Sequence, residues 1–285
     1  MRLVHLTDPH LTTLDPVSFW SVRGKRRLGY LSWSRSRRYK HRLDTLEILT
    51  DAIHAEQADH IAVTGDLTHL GLPFEIEQAA AWLTELGSPQ RVTLVPGNHD
   101  AYTKTSMADV HALWRDYLHL VDDEFPSVRN VGPMTLIGAS SARPSPPFMA
   151  YGKLGAEQRQ RVARTLREHQ GRFRCLLLHH PPTADATSRR RALSDARDVE
   201  TTLVEEAPEL VLHGHAHRNM TRILADNVRI FGTASASCVD PHKPASYRLF
   251  ELDPDPGGWT VTMTLKILGD GGGFDTAETT RWHTG

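Results

Sequence analysis

Five short polar blocks, each placed just after a run of apolar residues, constrain this chain more than any other feature. Four blocks follow their apolar run directly, and the asparagine block follows its run after a proline. Apolar runs of this length are typical of buried strands, and in α/β folds ligands collect at the carboxyl ends of strands. The pattern therefore predicts one metal site assembled from distant parts of the sequence. The blocks are Asp8-Pro9-His10, Gly65-Asp66, Gly97-Asn98-His99-Asp100, His179-His180 and Gly214-His215-Ala216-His217.

The order of the predicted elements indicates an α/β fold. Strand-like runs alternate with segments of helical spacing as far as about residue 213, and the rest is rich in strands. Predicted strands lie at 2–7, 60–64, 91–95, 134–139, 174–178, 209–213, 228–233, 246–252 and 259–267. Predicted helices lie at 42–57, 74–86, 105–121, 155–169 and 198–206. We expect two sheets packed together, with helices outside.

The positions of the blocks favour a single domain over residues 1–285, because they run from residue 8 to residue 217. Two parts of this domain stand out. One is an insert at about 16–42, and the other is a β-rich C-terminal part from about 227. The glycine-rich stretch at 269–273 is interpreted as a flexible turn or a frayed tail.

A strongly basic insert is concealed by the net charge of −1. Residues 23–42 contain nine Lys and Arg and no Asp or Glu, on a chain that is otherwise acidic. Such a segment predicts an anionic partner. Residues 19–42 fit an anionic membrane surface or a lipid-linked substrate, single-stranded nucleic acid, or an arm with no role in substrate binding. Nucleic acid is the less favoured of these partners. The interleaved aromatic residues are Phe19, Trp20, Tyr30, Trp33 and Tyr39.

Cysteine usage and hydropathy favour a cytoplasmic location, with the basic insert available to a membrane surface. Cys175 and Cys238 are the only cysteines, and Cys175 lies in a buried-strand pattern, so a disulfide framework is not expected. The first predicted strand begins at residue 2, which leaves no room for a cleaved signal peptide. No apolar run approaches the ~20 residues that span a membrane.

The residue types in the blocks fit a pair of divalent cations. Two metals about 3.5–4 Å apart are a recurring device for hydrolysing phosphate esters, and they need one ligand that contacts both. Asp66, at the end of the second strand, is the candidate for that ligand. His179 is preferred to His180, because it follows its strand directly whereas His180 precedes two prolines. The candidate ligands are Asp8, His10, Asp66, Asn98, His179, His215 and His217.

The order of the five blocks resembles the signature of the calcineurin-like metallophosphoesterases, and the resemblance extends from Arg2 to about Ala236. Written as patterns, the blocks are D-x-H, G-D, G-N-H-D, H and G-H-x-H. The resemblance implies a four-layer α/β/β/α sandwich and a metal-dependent phosphoric ester hydrolase. It also implies a first metal held by Asp8, His10, Asp66 and His217, and a second held by Asp66, Asn98, His179 and His215.

The resemblance further assigns two residues beyond the ligands. His99 matches the family's histidine that contacts the phosphate and can protonate the leaving oxygen, and Asp100 is placed to orient His99. The resemblance also implies that a hydroxide attacks the phosphorus of the substrate. This hydroxide would bridge two divalent or mixed-valence ions of Mn, Fe or Zn. Candidate substrate contacts in or near loops that rim the cleft are Arg143, His69 and Arg189, together with Arg190 and Arg191 of the same run.

The blocks look most similar to the bacterial phosphodiesterase branch of this family. That branch includes cyclic-nucleotide phosphodiesterases and UDP-2,3-diacylglucosamine pyrophosphatases, so the expected substrate is a nucleotide-type or lipid-linked phosphodiester or pyrophosphate. A nuclease of the same superfamily and a non-catalytic phosphate-binding protein on this fold remain as alternatives.

Overall fold

A computed structural model describes residues 1–11 and 13–285, which form two six-stranded sheets. Strands and helices are numbered in chain order. The first sheet contains, in spatial order, β12 (Phe274–Thr284), β11 (Gly258–Leu268), β10 (Ser246–Asp255), β1 (Arg2–Leu6), β2 (His60–Val63) and β3 (Val92–Leu94). The second contains β4 (Ser127–Val131), β5 (Met134–Gly138), β6 (Phe173–Leu177), β7 (Leu210–His213), β9 (Val228–Gly232) and β8 (Met220–Leu224).

Seven α-helices and one 3₁₀ turn complete the described part of the chain. The 3₁₀ turn, Arg37–Tyr39, follows the first helix directly. None of the helices formed by the described residues has the length and apolar character needed to cross a bilayer. The helices are α1 (Lys25–Arg35), α2 (Leu43–Ala55), α3 (Pro73–Leu86), α4 (Lys104–Leu113), α5 (Arg115–Leu118), α6 (Ala156–Glu168) and α7 (Ala196–Glu206).

The core confirms the expected four-layer α/β/β/α sandwich. In β6, Cys175 and Leu177 belong to an apolar cluster that includes residues of the first sheet and of helices α2 and α3. The intervening Leu176 packs instead in a cluster with residues of α6 and α7. Strands covered on both faces must be apolar at every position, which explains the continuous apolar runs in the sequence.

Parallel pairing brings the five polar blocks to one edge of the molecule. Strands β1, β2 and β3 are parallel neighbours, and so are β5, β6, β7 and β9. Leu6 lies opposite Val63, and Leu177 lies opposite Leu212, so the blocks begin at matching levels in each sheet. The carboxyl ends of both sheets therefore meet where the site was expected.

Two sequence-based boundaries need correction. The predicted helix at 105–121 is divided into α4 and α5 at Trp114, whose buried indole Nε1 donates a hydrogen bond to the Ile76 carbonyl at 2.9 Å. The 269–273 stretch is a turn, as one interpretation had it, but the chain after it is not frayed. It forms β12, and Trp282 of this strand packs on Phe231 with ring centroids 5.7 Å apart.

The basic insert is folded onto the core through one face of α1. Trp33 is only 2% exposed and packs with Leu14, Leu70 and Tyr102. Arg26 strengthens this anchor, because its guanidinium Nε donates to the Leu70 carbonyl at 3.1 Å. The insert is therefore a fixed wall beside the edge where the blocks meet.

Candidate metal centre

The backbone of five candidate ligands lies in the left-handed region. The φ angles are 50° at Asp8, 42° at His10, 56° at Asp66, 66° at His215 and 50° at His217. For a residue with a Cβ this conformation costs about 1–2 kcal/mol, and it persists only where the surroundings fix it. Such strain concentrates at functional sites, and here it turns the chain sharply as each strand ends.

Close approach between neighbouring loops explains one glycine of the asparagine block. A Cβ on Gly97 would lie 2.1 Å from Oδ1 of Asp66 and 2.4 Å from its backbone nitrogen. Only glycine leaves room for the Asp66 carboxylate there. The same carboxylate oxygen accepts a hydrogen bond from the His99 backbone N–H at 2.7 Å, so the two blocks are held together.

The first group of ligand atoms comprises Asp8, His10, Asp66 and His217, all within 4.8 Å of one another. Nε2 of His217 lies 3.0 Å from Oδ1 of Asp8 and 3.5 Å from Nε2 of His10. Ligand atoms held by one ion at about 2.1 Å lie about 3.0–3.4 Å apart at tetrahedral or right angles, so the spacing fits. His10 Nδ1 donates to the Thr68 carbonyl at 2.9 Å, which leaves its Nε2 with a free lone pair.

The second group shares Asp66 and adds His179 and His215. Nε2 of His179 lies 3.2 Å from Oδ2 of Asp66 and 3.2 Å from Nδ1 of His215. His179 Nδ1 donates to the Thr64 carbonyl at 2.6 Å. A neutral His179 would therefore face the carboxylate with a lone pair, and only a cation between them would make this contact favourable.

Buried side-chain oxygens supply a direct test of whether cations fit. Oδ1 of Asn98 is buried and makes no hydrogen bond with the described residues, and Oδ1 of the buried Asp8 has the ring nitrogen of His217 beside it at 3.0 Å. The other oxygen of Asp8 accepts hydrogen bonds from the Thr7 hydroxyl at 2.8 Å and the His215 N–H at 2.9 Å. The carboxylate is thus held with one oxygen aimed at the cluster. Buried oxygens of this kind need a partner, and a divalent cation fits both.

The electrostatics of the Asp66–His179 pair point the same way. Burial by itself lowers the pKa of His179, but the Asp66 carboxylate outweighs it and raises that pKa to about 9. Burial also raises the pKa of Asp66, and the neighbouring His179 and His99 bring it well below its ordinary value. The Asp66 carboxylate therefore favours a positive charge beside it. Without metal this charge is a proton on His179, and a divalent cation takes its place when the histidine releases that proton.

The structure brings His179 rather than His180 into the cluster. Nδ1 of His180 lies 2.8 Å from the Ser141 hydroxyl, and its Nε2 lies 3.2 Å from the Ala150 carbonyl. Both ring nitrogens of His180 are therefore committed away from the candidate ligands.

His99 lies in the same cleft as Asp66 and Asn98. Its Nδ1 donates to the His69 carbonyl at 2.5 Å, and this bond sets the orientation of the ring. Burial, followed by the nearby Arg37 guanidinium, lowers the pKa of His99 to about 3.

The predicted role of Asp100 is corrected by its contacts. Its carboxylate accepts hydrogen bonds from the backbone N–H groups of Asp66 at 2.8 Å, Gly97 at 2.9 Å and Thr68 at 3.0 Å. None of the contacts of the described residues joins it to the His99 ring, which the His69 carbonyl orients instead. Asp100 thus fixes the loops that carry the ligands. Burial, with the Asp66 carboxylate, raises its pKa to about 7.

A cleft of about 690 Å³ opens above the cluster, and the basic insert forms one of its walls. Six basic side chains line this cleft, whereas Asp66 is the one carboxylate among its described lining residues. The basic residues are Lys25, Arg35, Arg37, Lys40, Arg191 and Lys243.

Of the predicted substrate contacts, Arg191 lines the cleft, whereas Arg143, His69, Arg189 and Arg190 lie outside the lining. Arg143 and Arg189 are exposed elsewhere on the surface, and His69 is buried behind the site, where its ring stacks on His10 with centroids 5.0 Å apart. Sequence reasoning missed Arg37, although the insert that contains it stood out by its charge. The insert and the 189–191 arginine run were the right segments, but an irregular loop has no periodicity from which the direction of one side chain can be predicted.

A sequence profile of the calcineurin-like phosphoesterases matches residues 1–219. The chain belongs to this family. It is a metal-dependent phosphoester hydrolase, as the resemblance of the sequence blocks predicted. In this phosphoesterase the two ligand groups that share Asp66 support a dinuclear site for divalent metals.

Relatives and solved structures agree with this assignment. A protein of Synechococcus sp. described as a "probable cyclic nucleotide phosphodiesterase" is 27% identical over 205 residues, which cover 70% of this phosphoesterase and 74% of the relative. A dimetal phosphatase of Danio rerio shares the fold with a TM-score of 0.67 and 13% identity, over 100% of this chain and 99% of that one. The purple acid phosphatase PPD1 of yellow lupin (Lupinus luteus) gives a TM-score of 0.60 and 11% identity, over 100% and 54% of the two chains.

Proposed function

We propose that the chain is a phosphodiesterase that hydrolyses nucleotide-type phosphodiesters with the help of two divalent cations. One observation carries this proposal: Asp66 belongs to both ligand groups and lies in a cleft that also contains His99. The relative from Synechococcus supports a nucleotide diester as the substrate class. The volume of the cleft, about 690 Å³, lies in the range of sites that bury a small ligand.

The residues that would hold the cations follow from the two groups. Asp8, His10, Asp66 and His217 would hold the first, and Asp66, Asn98, His179 and His215 the second. When bound, such a pair of cations polarises phosphate oxygens and lowers the pKa of coordinated water. The mixed nitrogen and oxygen ligands suit Mn, Fe or Zn.

His99 is the residue best placed to exchange a proton with the leaving oxygen. Its Nδ1–H is held by the His69 carbonyl, so any proton that the ring exchanges with substrate passes through Nε2. Its backbone is tied to Oδ1 of Asp66, which keeps the ring beside the ligand groups. A general acid must lie within hydrogen-bonding reach of the departing atom, and these two bonds keep Nε2 beside the ligand groups. Because burial and Arg37 lower the pKa of His99 to about 3, the negative charge of a bound phosphate would have to raise that pKa before Nε2 could donate a proton.

A lipid-linked diester or pyrophosphate is a second candidate substrate. Three exposed aromatic side chains on and opposite the insert favour it: Trp20 is 77% exposed, Tyr39 66% and Phe148 78%. Aromatic rings beside basic residues are typical of surfaces that contact anionic lipids. Binding of vesicles that contain phosphatidylserine, weakened in a Trp20→Ala/Phe148→Ala variant, would favour this candidate. Unchanged binding in that variant would count against it.

The proposed activity is tested by metal content and turnover in the same preparation. Purified protein reconstituted with Mn²⁺ should hold two ions per chain and hydrolyse bis(p-nitrophenyl) phosphate and 3′,5′-cyclic AMP. Asp66→Asn should lose both the metals and the turnover, since Asp66 serves both groups. Asp185→Asn is the control, because Asp185 is an exposed carboxylate paired with Arg222 at 2.7 Å.

The remaining alternatives give different results. A non-catalytic phosphate-binding protein would hold two metals and inorganic phosphate without hydrolysing any diester. A nuclease would cleave single-stranded DNA in preference to 3′,5′-cyclic AMP, and its activity would fall steeply with added salt, because contacts to several phosphates release counterions.

A further inference from the structure

His41, at the end of the basic insert, lies beside the first ligand group although no sequence block contains it. Its backbone forms an isolated antiparallel bridge with Cys238. The neighbouring main-chain bonds, from Arg42 N–H to the Ser237 carbonyl at 3.0 Å and from Val239 N–H to the Lys40 carbonyl at 2.9 Å, hold it on both sides. The insert therefore returns to the core at a fixed point next to the metal cluster.

One ring nitrogen of His41 is committed to serine hydroxyls, and the other makes no hydrogen bond with the described residues. Nδ1 lies 3.0 Å from the Ser237 hydroxyl and 3.2 Å from the Ser235 hydroxyl. Ser235 donates its own proton to the Asp8 carbonyl at 2.6 Å, so towards His41 it acts as an acceptor. The proton of a neutral His41 ring therefore resides on Nδ1, and Nε2 carries a lone pair. Metal-binding histidines are oriented in the same way, by a hydrogen bond from the other nitrogen.

The ring also lies close to two candidate ligands. A ligand nitrogen of His41 is within 4.8 Å of those of His10 and His217. The ring centroids of His41 and His10 are 4.6 Å apart, and those of His41 and His217 are 5.5 Å apart. Opposite ligands of one ion lie about 4.2 Å apart at ordinary bond lengths, so the 4.8 Å limit places His41 close to the separation that one ion spans. Asp8 and Asp66 belong to the other group that contains His10 and His217.

We propose that His41 is an additional ligand of the first metal and couples the basic insert to metal binding. The proposal rests on the metal-binding function proposed above. Five protein donors suit Mn²⁺ or Fe²⁺ better than Zn²⁺, which prefers four. Residues 25–40 reach the core through His41 at one end, and they form the basic wall of the cleft. A metal held by His41 thus adds a second anchor to the wall that faces the substrate, beyond the packing of Trp33 on the core.

The test compares metal binding in wild type, His41→Ala and His41→Gln. Loss of one ligand should weaken Mn²⁺ binding at one of the two sites by about 10- to 100-fold in isothermal titration. It should also change the visible absorption of the Co²⁺-loaded protein, which reports coordination number. His242→Ala is the control, because His242 is an exposed histidine outside the cluster. Both His41 variants should melt like wild type when metal-free, which excludes misfolding.

A second readout follows the insert itself. Trypsin should cut the insert at Arg35, Arg37 and Arg38 more slowly when Mn²⁺ is bound to the wild type, and this protection should be lost in His41→Ala. Unchanged Mn²⁺ affinity, Co²⁺ absorption and protection in both variants would overturn the role of His41 while leaving the phosphodiesterase proposal intact. Wild-type protein that binds no metal after reconstitution would overturn both.

Discussion

Nη1 of Arg37 lies 3.3 Å from Nδ1 of His99. The Nδ1 proton is already donated to the His69 carbonyl, so the ring offers the guanidinium no lone pair. None of the ion pairs of the described residues supplies Arg37 with a carboxylate either, and burial lowers its pKa. Arg37 also lines the cleft, and a guanidinium presents its N–H donors in a fork that matches the oxygens of a phosphate. We expect Arg37 to bind the substrate phosphate beside the metals.

Replacing Arg37 should accordingly impair turnover of a phosphodiester. Arg37→Gln should lower kcat/KM for bis(p-nitrophenyl) phosphate by about 10- to 100-fold, the usual effect of losing a charge-assisted contact. Arg38→Gln is the matched control. Arg38 is the next residue, but it pairs with Asp15 at 3.4 Å and stacks on Trp33 at 5.3 Å. Equal losses in the two variants would show that net charge alone matters.

Asp100 should act through metal binding and stability rather than through the protonation of His99. Asp100→Asn places an NH₂ group against backbone donors, because the carboxylate accepts from Asp66, Gly97 and Thr68. We expect a loss of about 2–4 kcal/mol in the free energy of unfolding and weaker metal binding. Urea unfolding and metal analysis measure these effects. A slow variant with full stability and both metals would restore the role of Asp100 in orienting His99. The exposed Asp116 provides the control, Asp116→Asn.

The position of α1 over the cleft depends on a glycine. A Cβ on Gly29 would lie 2.3 Å from the Tyr102 hydroxyl and 2.4 Å from Cδ2 of Leu70. Gly29→Ala should push the helix outwards and displace the basic wall, which costs about 10- to 100-fold in kcat/KM. Ser34→Ala on the same helix should leave kcat/KM unchanged, because among the described residues the Ser34 hydroxyl bonds the Leu31 carbonyl of its own helix and no other group. Normal kinetics for Gly29→Ala would mean that the wall does not contact substrate.

One buried histidine outside the site should make the fold sensitive to acid. Burial, aided by the nearby His119 and Arg129, lowers the pKa of His60 from 6.5 to about 3. Below pH 6.5 the unfolded chain binds a proton at this position and the folded chain does not, so stability falls as the pH decreases towards about 3. His60→Gln retains a polar partner for the Thr93 hydroxyl, which lies 2.8 Å from Nε2 of His60.

Wild type and His60→Gln should differ in how steeply the free energy of unfolding depends on pH. From about pH 6 down to about pH 4, wild type should lose about 1.4 kcal/mol of unfolding free energy per pH unit more than His60→Gln. Urea unfolding followed by tryptophan fluorescence gives the two slopes. Parallel curves would place the titration of His60 close to its ordinary range in the folded state.

The sheets and the ligand cluster could be predicted because strands that are buried on both faces leave a strong local signal. A run such as Cys175-Leu176-Leu177-Leu178 must be apolar throughout to pack against a sheet on one side and helices on the other. The polar blocks then stand out at the strand ends. Strand β8 shows the limit, since Met220–Leu224 is largely exposed and its pairing with β9 leaves no such pattern.

The parts that sequence could not supply depend on contacts between distant loops. The sequence suggested that Asp100 orients its neighbour His99, yet its carboxylate accepts a hydrogen bond from a backbone amide of another block. Every residue except proline has such an amide, so the residue types do not show which amide a carboxylate will contact. Arg37 and His41 belong to the basic insert. Its composition predicts an anionic partner, but the sequence does not predict the path of its backbone. Trp33 fixes that path by packing in a cluster with Leu14, Leu70 and Tyr102, which only the tertiary structure brings together.

The pairing of β1 has a consequence for the order in which the chain folds. This strand, which ends next to Asp8 and His10, lies between β2 and β10, and Val4 is opposite Leu249. Contacts between residues so far apart in sequence form slowly, because a long loop must close first. On the ribosome, one edge of β1 stays unpaired until the residues of β10 have emerged. The first ligands to be synthesised are thus among the last to be fixed in place.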